Sequence, residues 1–216
     1  MKILLMILGL MLMGSCSTSH ISKSWKSGSS VPGNYNKILV LGLIRDEDSS
    51  LQEKMERHMS GDLWKMGYYS VSSYQQYGSG AFDGMTEEEA IHRIKRDSID
   101  AVLTIVLLDK DIERRYFAGH PRFWPLDYYD TKFWQYYAGM SRSIYEKDFY
   151  MINSRYLWDS HFYDMKDQSL IYSVQTQSFD PENAERLAHE YGKTIVKNLV
   201  KKKVIVKQEA PVLKAF

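Results

Sequence analysis

Residues 37–44 read KILVLGLI, an unbroken apolar run rich in Ile, Leu and Val. A strand with one wet face alternates apolar and polar residues; a run without that alternation belongs inside a sheet covered on both sides. Residues 100–108, DAVLTIVLL, repeat the pattern and supply a second central strand. Two helical signatures lie between them. Ser50 and Glu53 make a capping box, with Asp48 and Ser49 as further caps, and Leu51, Met55, Met59, Leu63 and Met66 keep a helical stripe up to Gly67. Residues 68–74 read as a short strand and 78–84, GSGAFDG, as a loop. Thr86 and Glu89 then form a second capping box, opening a helix that ends near Arg96.

Beyond the second run the pattern changes. Ten of the residues from 116 to 141 are aromatic, with no sustained period of a strand or a helix, which predicts a long excursion from the sheet. Regularity returns where Ile152, Tyr156, Trp158 and Phe162 share one parity. Leu170, Tyr172, Val174 and Thr176 then alternate against Ser169, Ser173, Gln175 and Gln177. With the polar turn 164–168 between them, these segments predict a long antiparallel hairpin with one buried face. Pro181 suits a first helical turn, and Ala184, Leu187, Ala188, Tyr191, Ile195 and Leu199 form the stripe of a closing helix. The order β-α-β-α-β, hairpin, α predicts an α/β to α+β fold: a single mixed β-sheet with helices packed on it. One globular domain is expected over residues 37–203, carrying the aromatic-rich insertion 116–141 and followed by a tail, 204–216.

The 28 basic and 27 acidic residues balance, so nothing pulls the chain toward nucleic acid, and 44% hydrophobic residues suffice for an ordinary core. No nucleophile elbow, P-loop or dinucleotide fingerprint occurs. His20, His58, His92, His120, His161 and His189 fall one per element, and the first four residues of a zincin motif at His189 run out at Lys193. Surface or helix-face positions are expected for these histidines, and neither a metal, a cofactor nor catalysis is expected. Asp46, Glu47 and Asp48 follow the carboxyl end of the first central strand, where α/β proteins often place sites. They are candidates for an envelope hydrolase, against the simpler reading that they favour the helix start. Phe123, Trp124, Tyr128, Tyr129, Phe133, Trp134, Tyr136 and Tyr137 are the candidate partner-binding residues. They could form a protein-binding face, a glycan-stacking platform or a membrane-interface belt, or fold back over the sheet.

The amino terminus, MKILLMILGLMLMGSC, holds the chain's one cysteine, so no intramolecular disulfide is possible. Lys2 is followed by an apolar run from Ile3 to Met13, too short to span a bilayer core of about 30 Å but the right length for a leader. Leu12-Met13-Gly14-Ser15 ahead of Cys16 resembles the lipobox of bacterial lipoproteins. That resemblance implies residues 1–15 as a signal peptide cut after Ser15, Cys16 as the lipid attachment site, and an acylated new amino terminus. Residues 16–36, rich in Ser and Gly, then read as a lipidated flexible tether. Ser17, in place of an acidic residue, suggests an outer-membrane address facing the periplasm.

Over residues 37–68, 98–110 and 162–205 the chain resembles a group of bacterial lipoproteins in which a strand–helix–Gly unit leads through an aromatic middle to a hairpin. Here that hairpin carries Tyr163-Asp164 and Leu170-Ile171-Tyr172-Ser173. The layout is similar to the periplasmic domains of the curli-secretion lipoprotein CsgG, the penicillin-binding-protein activator LpoB and the amino-terminal domain of TolB. Those proteins assemble, activate or dock without catalytic residues. The resemblance therefore implies a non-catalytic module that binds an envelope protein or a glycan and meets the membrane through its lipid.

Overall fold

The computed structural model describes residues 19–28, 32–45, 50–111, 133–135, 137, 154–179 and 181–208. Among these residues, six strands form one sheet: β1 (Ser19–Lys26), β2 (Lys37–Leu43), β3 (Tyr69–Ser72), β4 (Ala101–Asp111), β5 (Arg155–Asp164) and β6 (Ser169–Phe179). Their spatial order is β1-β6-β5-β4-β2-β3. β2 runs parallel to β3 and β4, and all other pairs are antiparallel. Among the described residues, four helices have defined bounds, α1 (Ser50–Lys65), the short α2 (Ser73–Tyr77), α3 (Glu87–Arg96) and α4 (Ala184–Lys201), and residues 133–135 and 137 belong to a further helical turn. The mixed sheet with packed helices is the expected architecture.

Both apolar runs lie inside the sheet because each face has its own cover. On one face Met55, Met59 and Leu63 of α1 and Leu187, Tyr191, Ile195 and Leu199 of α4 pack on Ile38, Val40, Leu103, Ile105, Trp158, Phe162, Tyr172 and Val174. On the other, Ala90 and Ile94 of α3, with Phe82, Phe133 and Tyr137, cover Leu39, Leu41, Val102, Val106 and Tyr163. At about 25 cal/mol per Å² of apolar surface, two such layers supply the main drive to fold. The Thr86–Glu89 capping box forms as read, with both reciprocal hydrogen bonds present. Among the described residues, no helix is long and apolar enough to cross a membrane.

The structure departs from the sequence reading in several places, and residues 73–74, expected at the end of a strand, open α2 instead. Residues 19–26, expected within a flexible tether, are a strand: Ser19 pairs with Ser178 and Lys26 with Tyr172 along the edge of β6. An edge strand needs backbone partners more than apolar side chains, and the register shift between Ile21 and Lys23 breaks what alternation there is. The tail docks through residue 208. Val204 and Ile205 are buried, the Val206 N–H donates to the Tyr68 hydroxyl at 3.1 Å, and the Gln208 N–H donates to the Met66 carbonyl at 2.9 Å. Helix α4 starts later than Pro181, with Asn183 as its cap and Asn183 Oδ1 accepting from the Arg186 N–H at 2.8 Å. Finally, the hairpin is buried on both faces, since Ser173 and Gln175 of its polar parity are as enclosed as Tyr172.

Candidate functional site

Three of the candidate partner-binding rings are described. Phe133 and Tyr137, one helical turn apart, are buried on the sheet face away from α1 and α4. Phe133 meets Tyr163 edge-on at 5.5 Å and its N–H donates to the Gln168 carbonyl of the β5–β6 turn at 3.4 Å. Tyr137 meets Phe82 edge-on at 5.9 Å and donates its hydroxyl proton to Asp83 at 3.2 Å. These two rings serve as a plug between the GSGAFDG loop and the hairpin. Trp134 stacks on Tyr137 at 5.3 Å and stays half-buried, so it retains outward surface. Phe123, Trp124, Tyr128, Tyr129 and Tyr136 lie outside the described residues, as do Cys16 and the acidic run Asp46–Asp48.

A polar file runs beside this plug, unremarked in the sequence because its members sit two apart on one strand. Asp159, His161 and Tyr163 of β5 share a face; His161 Nδ1 lies 2.9 Å from the Tyr163 hydroxyl and His161 Nε2 lies 3.2 Å from Asp159 Oδ2. The His161 N–H donates to Thr104 Oγ1 at 3.0 Å, and Ser173 and Gln175 stand opposite His161 and Asp159 in the ladder. An Asp–His–hydroxyl file resembles an acid–base relay in composition. Relays act on substrate, however, and His161 and Tyr163 have no exposed surface while Asp159 has 3%. His161 is therefore neither a surface nor a helix-face histidine, contrary to the expectation from sequence.

The second enclosed polar centre is Glu56 on α1. Its Oε1 accepts from the Gly42 N–H at 2.8 Å, Gln52 Nε2 at 2.9 Å and Ser73 Oγ at 2.8 Å. Its Oε2 accepts from Ser72 Oγ at 2.6 Å and the Tyr74 N–H at 2.7 Å. Burial pushes the carboxyl above its usual range, while the bonds from Ser72, Tyr74, Gln52 and Gly42 oppose that shift. Every donor belongs to a strand end or helix start, so the carboxylate ties α1 to the ends of β2 and β3. Gly42 is required for this: a Cβ there would stand 2.8 Å from Glu56 Oε1.

Folding also brings His58 and His189 together, with ring centroids 5.6 Å apart, although 131 residues separate them in sequence. His58 Nε2 lies 2.7 Å from Glu185, which also accepts a two-pronged contact from Arg57. The bond to His58 holds the Glu185 carboxyl below its usual range. This cluster joins α1 to α4 on the surface. Among the described residues no group of three metal-ligating side chains is placed to hold an ion.

No family model and no curated protein matches the chain. Among solved structures, a PelC dodecamer from Paraburkholderia phytofirmans is 11% identical, with a TM-score of 0.44 over 88% of this chain and 99% of that one. A variant PelC dodecamer from the same organism is 10% identical at 0.44, covering 82% and 98%. Lipoprotein GNA1162 from Neisseria meningitidis is 14% identical at 0.41, covering 77% of this chain and 99% of its own.

Proposed function

We propose that this chain is a lipid-anchored envelope protein, held at the periplasmic side of the outer membrane through Cys16, whose domain binds another envelope component without catalysing a reaction. The observation that carries this reading is the lone cysteine closing a short apolar run behind Gly14 and Ser15. The non-catalytic half rests on how the domain uses its reactive groups. Glu56 is taken up by five donors, and His161 and Asp159 are enclosed between strands and their cover. A carboxylate or imidazole so placed stabilises structure and meets no substrate. With Phe133 and Tyr137 packed inward, Trp134 is the described ring of the aromatic stretch that keeps surface for a protein or glycan partner.

Two measurements test the proposal. Metabolic labelling with an alkyne fatty acid should mark the wild-type chain and leave Cys16→Ala unmarked; label retained in that variant would refute the anchor. Photo-crosslinking in cells from position 134 should recover one specific envelope component, and recovery of none would count against the binding module.

A further inference from the structure

Strand pairing decides what gathers at each end of the sheet. Ser19 stands opposite Ser178, Arg155 opposite Phe179, and Asp111 opposite Arg155. The start of β1, the end of β6, the start of β5 and the end of β4 therefore share one end. Trp25 lies six residues along β1, opposite Ser173, or about 20 Å away at the rise of a strand. At the first end His20 and Arg155 are exposed and Phe179 is 38% exposed. The Arg155 guanidinium sits 5.4 Å from the Phe179 ring centroid, and the His20 ring, on the other strand that flanks β6, lies 6.3 Å from it.

The inference rests on acylation of Cys16. With acyl chains there, only Ser17 and Thr18 separate the anchor from β1. Three extended residue steps reach at most about 11 Å. The polar layer of a leaflet is itself roughly 6 Å deep. A flexible tether of the length read from sequence would instead allow roughly 25 Å. Ser19 has no freedom to swing away: it is buried, its Oγ lies 2.7 Å from Ser178 Oγ, and the strand behind it is paired along β6.

We propose that the sheet end carrying His20, Arg155 and Phe179 is a membrane-docking surface that rests in the headgroup layer of the bilayer holding Cys16. The Phe179 ring has the apolar face for the glycerol level, and the Arg155 guanidinium held over that ring is the cation that meets lipid phosphate. Asp109, Lys110, Asp111 and Glu182 lie within three residues of the same strand ends, so charges of both signs meet there, the occupant is a largely zwitterionic surface, and the acyl anchor, not charge, holds the domain down.

The chain's only native thiol is at the lipid site, so an introduced cysteine labels uniquely in the full, acylated protein. Phe179→Cys and His20→Cys place a fluorophore at the proposed surface, and Trp25→Cys places one far from it; positions 179 and 25 are exposed alike, 38% and 39%. In phosphatidylethanolamine–phosphatidylcholine vesicles carrying headgroup-level nitroxide lipids, quenching at 179 and 20 should exceed that at 25 several-fold. Little change is expected when acidic lipid is added. Acylated protein that floats with the vesicles but shows equal quenching at all three positions, or more at 25, overturns the docking surface and leaves the anchor standing. An amino terminus that proves unacylated by mass spectrometry, in protein that fails to float, overturns both.

Discussion

At the scale of single residues, the most exacting position is Gly42, in the middle of the run that defines the fold. Its missing side chain lets Glu56 reach the backbone of β2 and collect donors from three separate segments. Gly42→Ala should displace that carboxylate and cost about 2–3 kcal/mol, and Glu56→Gln about 2 kcal/mol, since an amide nitrogen would face the Tyr74 N–H. Chemical denaturation of both variants and their double checks this, and the two losses should fall short of adding because they remove one network. Asp97 gives a pH-dependent case. The Tyr77 hydroxyl donates to it at 2.5 Å and Arg96 at 3.2 Å, and these hold its carboxyl below the usual range, the tyrosine contributing most. A depressed carboxyl contributes stability that is present above its unfolded pKa, about 3.9, and is lost as pH falls through the folded value. Tyr77→Phe should therefore raise the Asp97 pKa in carboxyl-detected NMR, weaken the fold by about 1 kcal/mol at neutral pH, and flatten that acid-side loss.

At the scale of elements, local chemistry announced some pieces and not others. The Thr86–Glu89 box was legible because capping is written in four consecutive residues; Thr86→Ala should cost about 1 kcal/mol, read from the denaturation midpoint. The helical stripes of α1 and α4 and the apolar runs of β2 and β4 were legible for the same reason, since period and burial coincide. Strand β1 was not, because what holds it is the unpaired edge of β6, which lies 150 residues downstream and leaves no mark on the sequence SHISKSWK. Nor was the buried polar parity of β5 and β6: serine and glutamine signal a wet face unless something else covers it. Hydrogen exchange distinguishes a strand from a tether directly. Amides of residues 19–26 that bond to β6 should exchange at least about 100-fold more slowly than an unstructured peptide, and unprotected exchange throughout would restore the tether.

At the scale of the whole molecule, the candidate chemistry and the candidate surface separate. Among the described residues Glu56, Asp159 and His161 lie inside, held in the joints between helices and sheet, whereas His20, Trp25, Arg155 and Phe179 stand exposed at the sheet's ends and edge. The outer strand is therefore central to behaviour although it buries little apolar surface. Removing residues up to 36 would leave the domain boundary as read from sequence but strip β1 from β6, exposing an edge of eleven residues, Ser169–Phe179, with every second backbone group unpaired. Such a long, regular edge recruits another strand. Loss of the β1 ladder, the Ser19–Ser178 hydrogen bond, the cover that Ile21 adds to the core and the buried Tyr35 ring, which meets Phe162 edge-on at 5.1 Å, should amount to about 4–6 kcal/mol, a drop of roughly 10–20 °C in midpoint for a domain this size. A chain beginning at Lys37 should thus melt lower than one beginning at Ser19 and sediment as dimers or larger species, while the longer chain stays smaller. Equal melting and equal sedimentation would mean that β1 is an ornament of the sheet, and the proposed short link from β1 to a Cys16 anchor would then lose its physical basis.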